Sequence, residues 1–222
     1  KSEDVISTIN CLKKLGVKIK WDKKNNFCII NGNGLNSYVY KDNLTLNGNN
    51  SGTCVRLLSS LLINSPKKIK IIGDKSLSKR DMKRIIDPLT EFGATFYPKN
   101  KNTLPLYIKG SNYLTPINYL ELKGSSQCKS GVMLAALLAP GETKLICKSS
   151  RNHTELLFKH LKIPIKIKKI KNFEIIKVKG RQNFKAFNYN IPSDISSSAF
   201  FIVLTLLSKD SKLILEKVGV NK

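Results

Sequence analysis

Several residue types are nearly missing, and each shortage narrows the possibilities. The 222 residues include one tryptophan, two histidines and 39 basic side chains, of which only five are arginine. Five cysteines (Cys11, Cys28, Cys54, Cys128, Cys147) are scattered without C-x-x-C spacing. With two histidines to help them, they exclude the usual zinc arrangements. Cys54 and Cys128 fall inside apolar helical runs and read as buried thiols, which suits a reducing, cytoplasmic compartment. The longest apolar run is about nine residues, at 132–140. A spanning helix needs roughly 20, so no helical membrane span is expected. No charged-then-apolar leader opens the chain, and a start at Lys1-Ser2-Glu3-Asp4 without methionine leads us to expect an internal fragment.

What is abundant is lysine, and the formal net charge is +24. A basic surface of that size could bind nucleic acid or an anionic membrane. Asn and Ile are also plentiful, however, and residues 163–170 alternate Ile with Pro and Lys as a half-buried strand does. A lysine bias spread over all solvated faces explains the charge better than a nucleic-acid footprint. Steering of an anionic substrate remains compatible with it. A hydrophobic content of 41% lies in the globular range.

Two kinds of helix alternate along the sequence. Apolar helices opened by Ser and Gly are expected from Ser51-Gly52-Thr53-Cys54, from Ser125-Ser126-Gln127-Cys128 and from Ser196-Ser197-Ser198-Ala199. Apolar residues nearly surround them, so all three should be buried. Amphipathic helices carry Val5, Ile9, Leu12 and Leu15, then Met82, Ile85, Ile86, Leu89 and Phe92, then Leu157 and Leu161. Gly16 and Gly93 fit left-handed helix ends, while Ser2 with Glu3 and Asp4, and Asn152 with Glu155, look like N-terminal caps. Strand-like runs lie at 68–72, 104–109, 143–147, 173–179 and 212–215. The order gives a mixed α/β chain of tandem βαβαββ repeats, with buried helices flanked by sheets.

The Ser/Gly helix starts carry the chemistry. Unpaired N–H groups and about half a positive charge at a helix N-terminus suit an anion. Ser and Thr are also ordinary caps, and singly that reading is the stronger. Three starts in register, two with a cation one turn in (Arg56, Lys129), favour anion binding. In a chain that uses Lys almost everywhere, Arg56, Arg80 and Arg151 each stand beside a helix start, where the planar guanidinium can grip phosphate or carboxylate twice. Arg84 and Arg181 fit surface positions. No nucleophile–base set is visible: Glu155 reads as a cap, and Asp74 and Asp194 as turn or cap residues. The 124–130 stretch lacks the second glycine of a P-loop.

Five motifs then carry a specific resemblance. Asn50-Ser51-Gly52-Thr53-Cys54-Val55-Arg56 resembles the Asn-Ala-Gly-Thr-x-x-Arg motif of EPSP synthases, enolpyruvyl transferases. Gly73-Asp74-Lys75-Ser76-Leu77-Ser78-Lys79-Arg80, then Met82, is similar to Gly-Asp-x-Ser-Leu-x-x-Arg-Pro-Met, with Asp81 for Pro. Ser125-Ser126-Gln127 with Lys129-Ser130 resembles Ser-Ser/Ala-Gln-x-Lys-Ser. Ser150-Arg151-Asn152-His153-Thr154-Glu155 resembles Ser-Arg-Asp-His-Thr-Glu, with Asn for Asp. Pro192-Ser193-Asp194-Ile195-Ser196-Ser197 resembles Pro-Gly-Asp-Ile-Ser-Ser, with Ser for Gly. They occur in the family's order across essentially the whole chain.

The resemblance implies transfer of the enolpyruvyl group of phosphoenolpyruvate to the 5-hydroxyl of shikimate 3-phosphate, with release of phosphate, in the shikimate pathway of aromatic amino-acid biosynthesis. It implies an inside-out barrel of βαβαββ units, no cofactor or metal, no nucleic-acid or membrane partner, and a monomer at full length. By motif, Gly52, Arg80 and Gln127 would hold phosphoenolpyruvate. Ser125, Ser126, Gln127, Ser150 and Arg151 would bind shikimate 3-phosphate, with Arg56 in support. The family's N-terminal Lys-Ser…Arg motif and later acid, base and Arg groups have no match here. The expectation is therefore most of a first domain at 1–190, a crossover and start of a second at 191–222, no catalytic acid or base, and binding without turnover. Within the fold the rival is the UDP-N-acetylglucosamine enolpyruvyl transferase, whose catalytic Cys segment has no match. Across classes it is a basic nucleic-acid-binding protein, which needs aromatics interleaved with cations on one surface; Trp21 and the Phe pairs are instead expected in cores.

Overall fold

In the computed structural model, which describes residues 2–220 except 23 and 36, Ser2 opens the first helix, α1 (Glu3–Lys14). Lys1, Asn221 and Lys222 lie outside the described residues. The Ser2 hydroxyl accepts from the Val5 N–H at 3.4 Å. Glu3 and Asp4 in the first turn and Lys13 and Lys14 in the last complement the helix dipole. Gly16 ends the helix at φ 85°, and Gly93 does the same for the equivalent helix at φ 114°. The third equivalent position is Lys162, which adopts φ 56° without a glycine. A hairpin follows α1, with β1 (Lys18–Asp22) antiparallel to β2 (Phe27–Asn31).

Two complete units come next. The first is β3 (Thr45–Asn47), α2 (Gly52–Leu61), β4 (Ile69–Ile72), a 3₁₀ turn at Leu77–Lys79, α3 (Lys83–Glu91), β5 (Thr95–Tyr97) and β6 (Leu106–Lys109). The second is β7 (Asn118–Glu121), α4 (Ser126–Ala136), β8 (Glu142–Lys148), α5 (His153–His160), β9 (Ile165–Ile170) and β10 (Phe173–Lys179). Their sheets are ordered β3-β4-β6-β5 and β7-β8-β10-β9, the same topology twice. In each, the first two strands are parallel and the others antiparallel. The mixed α/β repeat expected from the sequence is present, although no closed barrel forms among the described residues.

The core lies where α2 and α4 pack on each other and are covered by the sheets and by α1 and α3. Leu62, Ile63, Ile69, Leu89, Phe92, Val132 and Ala135 are fully buried there, each large side chain worth about 1.5–3 kcal/mol of transfer free energy. Gly131 explains how closely the helices approach. A Cβ at that position would stand 2.5 Å from Ile85 Cδ1 and 2.7 Å from Ser60 Oγ, so a side chain there would force α4 away from both α2 and α3.

Three expectations fail. The segment from 196 is helical, as α6 (Ile195–Leu207), but it has no buried residue, and Phe200 is 82% exposed. Its apolar side chains are not covered by a sheet as those of α2 and α4 are; among the described residues the ladder contact nearby is an isolated bridge between Ser193 and Val218. Residues 212–215 form no strand, since no neighbouring strand offers them a ladder. Trp21 is only half-buried, on the two-stranded hairpin, and Phe200 and Phe201 are exposed rather than in a core.

Candidate anion-binding site

Parallel pairing sets the site's position. With Asn47 opposite Ile72 and Glu121 opposite Cys147, the loops leaving β3 and β4 share one edge, as do those leaving β7 and β8. These four loops carry the four motifs from residue 50 to residue 155. Because α2 packs directly on α4, the two helix starts meet. Gln127 joins them: its Nε2 donates to Thr53 Oγ1 at 2.7 Å, and its Oε1 accepts from Arg56 Nη1 at 2.6 Å. Arg56 Nη2 also donates to the Asp81 carbonyl at 3.3 Å.

Gly52 forms the floor beneath two guanidiniums. A Cβ added to it would lie 2.8 Å from Arg56 Nη1 and 3.4 Å from Arg80 Nη1. Arg80 is positioned by a chain of polar contacts. Its Nη2 donates to Asn50 Oδ1 at 2.9 Å, and Asn50 Nδ2 donates to Asp74 Oδ2 at 2.7 Å. The Leu77 N–H donates to Asp74 Oδ1 at 2.7 Å. That bond, then the Asn50 amide, holds the Asp74 carboxyl below its ordinary value. Asp74 therefore fills the turn-positioning role read from sequence. Arg56 is held below its usual range first by burial, then by the charges of Arg80 and Arg84, with Asp81 opposing. Arginines crowded this way at two helix N-termini form a cationic cradle that an anion relieves.

The second half of the edge is ordered differently. Ser51 and Ser125 are caps, accepting from the Cys54 and Cys128 N–H groups at 3.1 and 3.2 Å. Buried Glu121 accepts from the N–H groups of Lys123, Gly124 and Ser125 at 3.0, 2.8 and 3.2 Å, and so fixes the turn before α4. Nothing in the sequence marks that carboxylate beyond its place ahead of a glycine. Ser126 is half-buried in the first turn of α4.

Lys129 and Glu155 depart from the sequence reading. Lys129 is fully buried and is no free cation for a ligand: its ammonium pairs with Glu155 and, at 3.2 Å, with Glu174. Glu155 is a buried partner of Lys129, with Oε2 left without a hydrogen bond. Asn152 occupies the N-cap position of α5, but its side chain does not close the first turn. The reason is tertiary, because β10 brings Glu174 beneath α4. Lys129 Nζ also donates to the Ser150 carbonyl at 3.2 Å, and Ser130 Oγ meets Thr154 Oγ1 at 2.7 Å. The 149–152 loop is thereby held against the α4 start. It carries the buried, unbonded Ser150 Oγ and the exposed Arg151. Asp194, in the fifth motif, caps α6 through the Ser196 N–H at 2.9 Å and the Ser197 hydroxyl at 3.1 Å.

Tandem βαβαββ units whose paired helix starts lie under arginines define the class: an α/β-repeat protein with a cationic cradle at one end of its sheets. The family described as EPSP synthase (3-phosphoshikimate 1-carboxyvinyltransferase) matches residues 1–222. The 3-phosphoshikimate 1-carboxyvinyltransferase of Petrotoga mobilis is 37% identical over 223 residues, covering 99% of this chain and 50% of the relative. That of Streptococcus pyogenes serotype M4 is 39% identical over 223 residues, covering 100% and 51%. The solved EPSP synthase from Acinetobacter baumannii superposes with a TM-score of 0.84 at 35% identity, covering 100% of this chain and 49% of that one. The chain belongs to the EPSP synthase family, and it spans about half the length of these relatives.

Proposed function

We propose that this chain supplies the phosphate-binding wall of an enzyme that transfers the enolpyruvyl group of phosphoenolpyruvate to the 5-hydroxyl of shikimate 3-phosphate and releases phosphate. Family membership gives the chemistry its direction. The observation that carries the site is the Thr53–Gln127–Arg56 junction, which locks the two helix starts into one surface. Gly52 and Arg80 take phosphoenolpyruvate, the absent Cβ letting two guanidiniums approach the backbone that opens α2. Ser125, Ser126, Ser150 and Arg151 take shikimate 3-phosphate, with Gln127 between the two ligands. The unbonded Ser150 hydroxyl is a donor awaiting an acceptor. None of these residues is assigned as acid or base, so their contribution is binding and alignment.

In this reading residues 1–190 form most of one domain and residues 191–222, with exposed α6, begin another. No helix among the described residues is long and apolar enough to cross a membrane. A nucleic-acid role gains one feature, because Lys68 lies over the Tyr97 and Tyr107 rings at 5.1 and 4.5 Å. Those rings are engaged by this chain's own lysines, which makes them poor stacking platforms for bases. The test is calorimetric titration with shikimate 3-phosphate. Arg151→Ala removes a charge-assisted contact worth roughly 1.5–3 kcal/mol, so affinity should fall by at least tenfold. Equal binding by wild type and Arg151→Ala would sink the assignment.

A further inference from the structure

Cys11 and Cys54 come from different elements, 43 positions apart in the sequence, yet the fold brings them together. Cys11 lies on the inner face of α1 and Cys54 in the first turn of α2, and they are 2% and 3% exposed. Both line the same small cavity between the two helices, and the Cys11 thiol donates to the Asn47 carbonyl at 3.3 Å. Leu46, Val55, Leu58 and Ile71 close around the pair and leave no room for a water molecule beside it. Every cysteine among the described residues is reduced, and exposed Cys28 stands apart on the β1–β2 hairpin.

We infer that Cys11 and Cys54 are a redox-active dithiol that closes to an intramolecular disulfide when the chain meets a hydroperoxide. The two thiols are not equivalent. Cys54 sits among the N–H groups that begin α2, which favour an anion there. The neighbouring Cys11 thiol, aided by Thr8, brings the Cys54 thiol down against the opposing effect of burial. Cys11 is pushed up, first by the neighbouring Cys54 and then by burial, so it keeps its proton.

Cys54 is therefore the attacking sulfur. Its thiolate forms an S–O bond as the peroxide O–O bond breaks. The departing oxide takes a proton to become water or an alcohol, and Cys54 becomes a sulfenic acid. The Cys11 sulfur then attacks Cys54. The S–S bond forms, the S–O bond breaks, and the hydroxyl leaves as water with the proton from Cys11. Two thiols lose two electrons and the peroxide gains them. Local opening of α1 would be needed to admit the oxidant; this helix is held to the β3 region by Lys14 Nζ on the Thr45 carbonyl and Asn49 Nδ2 on Ser7 Oγ, at 3.1 and 2.9 Å. The bond would fasten α1 to the turn that carries Gly52 and Arg56.

The experiment uses the full chain carrying Cys28→Ser, which removes the exposed thiol and leaves the core unchanged. It is treated with hydrogen peroxide, alkylated after unfolding, and mapped by peptide mass spectrometry without reductant. The expected product is one link between the Cys11 and Cys54 peptides in a monomeric chain, reversed by a thiol reductant. With Cys11→Ser added, the link should vanish and a dimedone adduct should appear on Cys54. Full alkylation of both cysteines, sulfinic acid at Cys54 without a link, or links confined to Cys128 and Cys147 would each overturn the inference. The mapping needs no substrate, so it stands or falls apart from the proposed transfer reaction.

Discussion

Gly52 concentrates the account at the scale of single residues. Alanine is a better helix former than glycine by about 1 kcal/mol, so Gly52→Ala should not unfold the chain. The new methyl would meet Arg56 Nη1 at 2.8 Å, and the flexible guanidinium would move to make room. An unchanged melting temperature with about tenfold weaker phosphoenolpyruvate binding, or 1.4 kcal/mol, is the expected pair of results by scanning and titration calorimetry. Asp74 gives a prediction in pH. Its folded-state value lies below the ordinary 3.8, chiefly through the Leu77 N–H. Its contribution is therefore fully present above the unfolded value and is lost as pH falls through the folded one. Carboxyl carbon NMR should place its midpoint below 3.8, with the Asn50–Arg80 contact loosening in that acid range; a midpoint at or above the ordinary value would contradict the geometry. The scarcity of arginine made Arg56 and Arg80 legible in the sequence. Lys129 was not, because its spacing resembles theirs and its burial depends on Glu174, 45 positions away.

At the scale of elements, Lys129 fastens α4 to α5 and to β10. Deleting one partner of a buried ion pair costs about 3–5 kcal/mol, since the opposite charge is left without compensation. Lys129→Met should destabilise the chain by that amount in urea denaturation, and adding Glu174→Gln and Glu155→Gln should recover part of it. No recovery would mean that the packing of the lysine stem, rather than its charge, matters at this point. The helices themselves were legible from local signals, because Ser2, Ser51 and Ser125 cap them with bonds between near neighbours in sequence. Signals that depend on a distant partner misled. Asn152 and Glu155 had the spacing of a cap and residues 212–215 the composition of a strand, but a carboxylate follows the nearest buried cation and a strand needs a ladder.

Across the whole molecule, the repeat was readable because each unit restates the same order of elements, and two sheets with identical strand order follow from it. The exposure of α6 was not readable, since its composition matches that of α2 and α4 and only the surrounding elements differ. The central claim is that two helix starts 74 positions apart act as one phosphate site in a chain covered with lysine. An amide-resolved NMR titration with shikimate 3-phosphate addresses it most directly. The account predicts that Gly52, Thr53, Ser125, Ser126, Gln127 and the 149–152 loop shift together along one saturating curve, while the amides of the β9 and β10 lysines stay still. Shifts scattered over those lysines without saturation, or movement at one helix start alone, would contradict it.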